Sequence, residues 1–436
     1  MRSFIAFAPT VATLARMDNP RRTALSRCME FDTDIAIIGG GLNGSSLALA
    51  LAEAGQHVVL IDALGTAPRM QDTFDGRSYA LALASARLLE GIGVWGAVMD
   101  HAQPMLEIKV TDGRTGEGPS PFFMHFDHAE IEEGPMGYMV EDRHLRRALL
   151  ETLAQSRFIE QLHGEQVTAQ AVDATGVTLT LASGKKIRSR LAIGADGRRT
   201  GIGARAGIKR VEWSYAQTAL VCAIAHEKPH NGIAHQFFMP PGPLAILPLT
   251  ENRSSIVWSE TDQNAAAIQS LDDEAYLKVL RPRFGDFLGE ISLAGRRYTY
   301  PLGLSLAHEM IKPRVALVGD AAHGVHPIAG QGLNAGLRDV AALAEVIADA
   351  AQRGEDVGSA AVLDRYQEWR RFDNASLALA TDSFNRLFSN DNPFVRIARD
   401  IGMAAVNALP GLRRGFIREA AGLTGELPKL MRGKRL

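Results

Sequence analysis

The sequence predicts an α/β fold: a Rossmann-like nucleotide-binding domain with an inserted, mainly antiparallel β domain and a helical C-terminus. Three observations predict it. A strand–glycine loop–helix–strand pattern opens near residue 34, alternating β runs fill the middle, and a second strand–glycine loop–helix block occupies 315–339. Two βαβ-type stretches flanking a β-rich one imply a discontinuous first domain.

The opening pattern is Asp34-Ile-Ala-Ile-Ile38-Gly39-Gly40-Gly41-Leu42-Asn43-Gly44, an Ala/Leu-rich helix to Gly55, then His57-Val-Val-Leu-Ile61-Asp62. Ile35 to Ile38 is a short apolar run, as a parallel strand buried on both faces requires. Gly39-x-Gly41-x-x-Gly44 has the dinucleotide spacing. Gly39 permits a tight turn, Gly41 lets a pyrophosphate approach the backbone, and Gly44 lets the helix pack on the strand. Gly55 suits a helix C-terminal cap. Asp62, 18 residues after Gly44, can accept hydrogen bonds from a ribose 2′-OH and repels a 2′-phosphate. FAD and NAD both remain open at this point, ahead of NADP.

The late block runs Val315-Ala-Leu-Val-Gly319-Asp320-Ala-Ala-His323-Gly-Val-His326-Pro327-Ile-Ala-Gly330-Gln331-Gly332-Leu333-Asn334-Ala-Gly336-Leu-Arg338-Asp339. It reads as a buried strand, an Asp, a glycine-punctuated loop and a helix. Such a loop presents backbone N–H groups to an anion or a polar ring edge. Two nucleotide signatures in one chain imply that both ends of one long cofactor are held.

Between them, 71–95 carries a helical pattern, and 100–135 holds short strands broken by Gly and Pro. Val140 to Leu153 reads as a helix with Arg143 and Arg147 on one face. Val167 to Leu191 reads as a hairpin turning at Ser183-Gly184, and it leads to a strand ending in Asp196-Gly197. Residues 211–300 read as all-β. The expected domains are 33–105 with 136–210 and 305–356 for the nucleotide, 106–135 with 211–304 for the β-rich substrate domain, and 357–436 as a helical C-terminal region.

The 436 residues are 46% apolar and 22% charged, with a formal charge of −2, so the chain is globular and has no compositional support for nucleic-acid binding. Its two cysteines, Cys28 and Cys222, suit a reducing compartment and exclude a disulfide framework. No run of 18 apolar residues exists to span a bilayer. The first 30 residues hold five Arg and two acids. Residues 1–32 are read either as a targeting leader or as an over-extended start before Met17 or Met29, disordered in both cases, with folding from about Thr33. From Arg396 onward nine Lys/Arg and three acids interleave with apolar residues. Two readings stand: a basic amphipathic tail on an anionic membrane surface, or a helical cap packed on the body.

Taken together, Gly39-x-Gly41-x-x-Gly44, Gly194-Ala-Asp196-Gly197 and Gly319-Asp320 resemble the three fingerprints of flavoprotein aromatic hydroxylases, the class A monooxygenases, whose fold is para-hydroxybenzoate-hydroxylase-like. The run His326-Pro327-Ile-Ala-Gly330-Gln331-Gly332-Leu-Asn334-Ala-Gly336 is similar to the signature of the ubiquinone-biosynthesis branch. So are Gly242-Pro243-Leu-Ala-Ile-Leu-Pro248-Leu249, Asp75-x-Arg77 and Gly425-Glu-Leu-Pro428.

The resemblance implies FAD as cofactor, NAD(P)H and O₂ as co-substrates, and ring hydroxylation of a polyprenylated phenol through a flavin hydroperoxide. By position, Gly39, Gly41, Gly44 and Asp62 would hold the ADP half of FAD. Arg77 and Arg143 would lie near the cofactor, Asp320 would bond its ribityl chain, and Gly330, Gly332, Leu333 and Asn334 would line the ring edge. Asp196 matches the motif linked to both FAD and the nicotinamide nucleotide. Asp62 stands where Glu is common, and Thr200 and Gly203 depart from the Ser and Arg of the Asp-Gly motif.

No metal is expected and no catalytic acid or base is assigned. His323 and His326 are candidates for phenol deprotonation or for loop hydrogen bonding. Tyr215, Phe237, Phe238 and Trp258 are candidate pocket walls or core. Rival functions are hydroxylation of a small soluble aromatic and a non-catalytic flavin-binding subunit of a biosynthetic complex. The expected partners are a peripheral membrane surface and other ubiquinone-biosynthesis proteins. The expected location is the cytoplasm, peripheral on the inner membrane, or the mitochondrial matrix if the leader is a transit peptide.

Overall fold

Thr33–Ile38 and Val58–Asp62 are almost wholly buried apolar runs that pair in parallel, Ile35 against Val58. A strand buried on both faces needs a helix on each side. The Ala/Leu-rich Leu42–Glu53 supplies one, stopped at Gly55, which has φ 78° and donates its N–H to the Ala52 carbonyl at 2.9 Å. In the computed structural model, residues 31–65, 73–114, 118–324, 331–371, 373, 406 and 408–436 are described.

These two strands are the centre of an eight-stranded sheet. Its parallel core runs in the order 315–317, 186–194, 33–38, 58–62 and 159–163. Strands 167–172 and 177–181 extend it as an antiparallel ribbon on 186–194, with Gly184 at φ 86° in the Ser183-Gly184 turn. A nine-stranded sheet takes 107–114, 118–127, 210–226, 233–238, 244–249, 253–261, 291–293, 298–307 and 323–324. Strand 210–226 carries a bulge between Ser214 and Gln217. A three-stranded sheet of 78–82, 102–105 and 137–141 is hydrogen-bonded to neither and packs Met105 and Met139 against Ala223 and Leu249 of the nine-stranded sheet.

Two expectations need correction. The helical pattern assigned to 71–95 begins as strand Ser78–Ala82, and only Leu83–Gly91 is helix. The strand forms because Met139 and Val140 offer a pairing edge that local sequence does not reveal. The stretch 211–300 is not all-β: it contains helices Asp262–Gln269 and Asp273–Phe284. Both start on legible caps. Thr261 Oγ1 accepts from Asn264 N–H at 3.3 Å, and Asp272 Oδ1 from Ala275 N–H at 2.8 Å. These helices cover one face of the nine-stranded sheet, burying Trp258, Tyr276, Leu280 and Phe284.

The C-terminal end is docked on the body. Leu430 and Met431 are buried in the nucleotide-sheet core. Lys429 N–H donates to Glu345 at 2.6 Å and its Nζ to Asp349 at 2.9 Å. Helix Pro410–Ala420 lies on strand 118–127, with Arg413 paired to Glu130 at 2.7 Å and Arg418 to Glu133 at 3.0 Å. The described residues include no helix long and apolar enough to cross a membrane.

Candidate active site

Three motifs end three adjacent parallel strands at their carboxyl edge: Gly39 after 33–38, Asp196 after 186–194 and Asp320 after 315–317. In open α/β sheets, that edge is where a ligand crevice forms. The glycines divide the work unequally. A Cβ on Gly44 would lie 1.8 Å from the Gly39 carbonyl oxygen, and one on Gly39, at φ 106°, would lie 2.3 Å from the Ala195 carbonyl oxygen. Both positions are filled by backbone. A Cβ on Gly41 would meet nothing within 4 Å, because Gly41 faces a cavity. Only the middle glycine is reserved for something outside the protein.

The cavity measures about 670 Å³. Two helices begin at its wall. Gly41 precedes Leu42–Glu53 without any side-chain cap, and Gly332 and Leu333 open Gln331–Gln352. Neither helix has an acid in its first turn, and the end at Gly41 has no side-chain cap, so that positive dipole end stays available to a ligand. Asn43 lines the same wall, and its buried Oδ1 has no hydrogen-bond partner among the described residues. Gly319 and Gly336 make room for it: a Cβ on either would strike the Asn43 amide, at 2.1 and 2.4 Å. An uncapped anion-binding turn, a second helix that opens on the cavity without a first-turn acid, and an orphaned amide oxygen suit a dinucleotide carrying a polar ring system. This fits FAD.

The opposite wall belongs to the nine-stranded sheet. Ala219, Val221, Ala245, Leu247, Ser255 and Val257 face the cavity. Their sequence neighbours Leu220, Cys222, Leu244, Ile246, Ile256 and Trp258 are buried on the other face, against the two helices. Strand alternation thus puts small residues on the cavity and large ones in the core. Of the two readings open for the four aromatics, the structure places them in the core rather than on the cavity wall. Trp258 sits in the core, donating Nε1–H to Glu260 at 3.1 Å, and Phe237 and Phe238 are also core. Tyr215 packs on Leu304. None of the four lines the cavity.

The predicted site residues fall into three groups. Gly41, Arg77, Asp320, Gly332 and Leu333 line the cavity. Arg77 is held by Asp75 at 2.7 Å and Asp142 at 3.4 Å. Burial opposes its charge, but the hydrogen bond it donates to Asp75 and the charges of these acids raise its pKa. Asp320 is half-exposed, with Arg198 3.8 Å away.

A second group supports the cradle rather than facing it. Asp62 accepts from the Gly40 N–H and, at 2.7 Å, from the Leu64 N–H, so its carboxylate fastens the glycine loop. Asp196 Oδ2 accepts from Gly201 N–H at 2.7 Å, while its Oδ1 is buried without a hydrogen-bond partner among the described residues. Asn334 accepts from Ala82 N–H and Ser85 Oγ–H, each at 2.8 Å, and donates to the Ala80 carbonyl. Its side chain clamps strand 78–82 to the helix, so only its backbone remains to line a ring.

Arg143 lies outside the cavity wall. It donates to Glu141 at 2.7 Å and covers Phe74, which Arg253 covers from elsewhere at 4.7 Å. Gly330, the third group, lies outside the described residues, as does His326.

His323 is turned into the core. Its Nε2 meets Asp339 at 2.5 Å, and Asp339 also accepts from Arg370 Nε–H at 2.8 Å and Gly319 N–H at 2.9 Å. Burial alone would raise the Asp339 pKa, but His323 and Arg370 hold it at about 2. This network ties the Asp320 turn to helices 331–352 and 360–371, so His323 positions the loop.

His226 and His230, four residues apart, have a metal-type spacing that the expectation of no metal passed over. His226 contacts the Lys228 carbonyl and Ser254, and His230 the Leu249 carbonyl and the Gly232 N–H. The described residues include no group of three ligating side chains placed to hold a metal. Tyr79 was also missed. It lines the cavity and donates to Asp142 at 2.8 Å. Burial and that carboxylate push its pKa up. The Asp75-x-Arg77 motif two residues earlier was the available signal.

Residues 32–378 match the FAD binding domain family. Ubiquinone hydroxylase UbiL of Rhodospirillum rubrum is 44% identical over 429 residues, covering 98% of this chain and 99% of that protein. The 3-demethoxyubiquinol 3-hydroxylase of Escherichia coli is 36% identical, covering 90% and 99%. The human mitochondrial ubiquinone biosynthesis monooxygenase COQ6 is 32% identical, covering 89% and 92%. Among solved structures, p-nitrophenol 4-monooxygenase PnpA of Pseudomonas putida superposes with a TM-score of 0.74 at 20% identity, covering 91% of this chain and all of that one. At that identity the likeness shows the fold, which is that of the FAD-dependent aromatic hydroxylases.

Proposed function

Since this chain belongs to the FAD-dependent monooxygenases of ubiquinone biosynthesis, we propose that it hydroxylates the aromatic ring of a polyprenylated phenol. The observation that carries the reading is one cavity with two unlike walls. Gly41, Asn43 and the uncapped end of helix 42–53 suit FAD, and a facing sheet of mostly apolar side chains suits an apolar ring. The balanced reaction inserts one oxygen of O₂ into a ring C–H and reduces the other to water, with NAD(P)H giving two electrons.

FAD, when bound, supplies the oxygen chemistry. The chain's own residues hold and enclose. Gly39, Gly41, Gly44 and Asp62 would form the ADP cradle, and Asp320 would accept from the ribityl hydroxyls. Gly330, Gly332 and Leu333 with the Asn334 backbone would border the ring. Asp196 would hold its turn in place for cofactor and nicotinamide nucleotide, and Arg77 would stand at the ring. Arg143 would act through Glu141 and Phe74 rather than by contact. The wall from Ala219 to Val257 excludes water from the reacting ring. The units 33–105 with 136–210 and 305–356, and 106–135 with 211–304, would be the cofactor and substrate domains.

Contact with a membrane surface and with other ubiquinone-biosynthesis proteins belongs to the same proposal. What supports it is a side of helix 410–420 where Leu412 and Phe416, with Leu409 just before it, are exposed beside Arg413 and Arg414.

The test is quinone extraction from cells lacking the protein, followed by mass spectrometry. A prenylphenol lacking one hydroxyl accumulates if the reading is right, and its structure names the ring position. An unchanged quinone profile favours the small-aromatic hydroxylase instead.

A further inference from the structure

We infer that Ser255 binds the substrate: its hydroxyl hydrogen-bonds an oxygen on the aromatic ring and sets which ring carbon is presented for hydroxylation. This rests on the prenylphenol reading above. Ser255 lies in strand Arg253–Thr261 and pairs with Ala223 on one side and Leu247 on the other. It shares the cavity face with Val257, Val221, Ala245 and Leu247, which carry no polar side-chain atom.

The residue is 3% exposed, yet it lines the cavity, and no described residue hydrogen-bonds its hydroxyl. The adjacent serine shows the contrast. Ser254 points to the opposite face and is satisfied by His226 Nε2 at 3.0 Å. A hydroxyl that opens on a cavity and has no described partner is free to bond what enters. Ser255 is the polar residue among its apolar strand neighbours; Tyr300 on the adjoining strand 298–307 and Ser78, Arg77 and Tyr79 carry other polar atoms of the cavity lining, and a few fixed polar groups on a mostly apolar surface are how such pockets orient a ligand. A hydroxyl both donates and accepts, so it suits a phenol O–H or an ether oxygen, and an apolar replacement would allow the ring to rotate.

The test uses FAD-loaded enzyme, a short-chain 2-prenylphenol and NAD(P)H. Ser255→Val and Ser255→Thr have nearly the same shape and differ in the hydroxyl; Ser255→Ala removes it without adding bulk. The expected result is full flavin content in all three. In Ala and Val, KM rises roughly tenfold, the order of one lost hydrogen bond, and less product forms per NAD(P)H oxidised. Thr retains coupling. A shifted ring position in the residual Ala product would further support the assignment.

Unchanged KM, coupling and product in Ala and Val would overturn the inference and leave the prenylphenol reading intact. A wild-type enzyme that neither binds nor hydroxylates a prenylphenol would sink both. Loss of flavin in all three variants would reassign Ser255 to the cofactor site.

Discussion

At the scale of single residues, the glycine motif makes opposite demands at positions two and three residues apart. Gly44→Ala places a Cβ 1.8 Å from the Gly39 carbonyl oxygen. Helix and strand must then separate, and the expected outcome is loss of soluble protein on expression. Gly41→Ala meets no protein atom within 4 Å. That variant is expected to fold with an unchanged apo-protein melting temperature and to purify with reduced flavin absorbance. Asp320→Ala should purify colourless, because its half-exposed carboxylate faces the cavity; a fully yellow mutant would contradict the assignment. The spacing of the glycines was enough to predict the strand–turn–helix at 33–53, whose middle glycine, Gly41, lines the cavity. It did not reveal that Asp62 and Asn334 spend their side chains on the protein's own backbone, because both interactions cross more than 20 residues of sequence.

At the scale of elements, the Asp339 network is the main structural debt of the late loop. Asp339 is fully buried between His323 and Arg370. Asp339→Asn neutralises one of the two carboxylates that pair with the buried Arg370 and leaves Asp373, 2.5 Å from Nη1, as the other. Breaking a buried pair outright costs about 3–5 kcal/mol; with Asp373 retained the expected loss is below that range, read as a lower urea midpoint with an unchanged denaturant slope. The sequence displayed Asp339 at the end of the recognised block but not its partner Arg370, which joins it only in the tertiary structure. The choice between pocket wall and core for the β-domain aromatics was not legible for a different reason. Alternation along 219–223, 244–249 and 253–261 is visible in the sequence, but which face meets the helices depends on Asp262–Gln269 and Asp273–Phe284. Once those helices are placed, Trp258 and Phe237 go to the core beneath them, and Ala219, Val221, Ala245, Leu247, Ser255 and Val257 to the cavity.

For the whole molecule, stability should fall on the acid side in two steps. His144 is depressed to about 4 by burial and then by the stacked His101 and the charge of Arg143, against the pull of Glu141. His235 is depressed to about 4 by burial and Lys109. A histidine with a folded pKa below its unfolded one takes up its proton first in the unfolded chain. Stability is therefore lost as pH falls from about 6.5 toward 4. Asp339, held at about 2, adds a further loss below about 4, where the unfolded carboxylate protonates first. Melting temperatures between pH 7 and 4 should decline, and His144→Gln should flatten that decline.

The C-terminus works at this scale too. Deleting 396–436 removes Leu430 and Met431 from the main core, each worth about 1.5–3 kcal/mol of burial. The truncated chain should melt lower whatever its effect on membrane association. Composition had left that segment open between tail and cap, because docking of 428–432 relies on Glu345 and Asp349, some 80 residues away.

The central claim is that this cavity joins FAD to the ring of a prenylphenol. The most direct measurement incubates the purified, FAD-loaded protein with NAD(P)H, a short-chain prenylphenol and isotopically labelled O₂, and reads the product by mass spectrometry. The account predicts one labelled oxygen on the ring and NAD(P)H oxidation that rises when the phenol is added. Oxidation that ignores the phenol, with no labelled ring product, would contradict it.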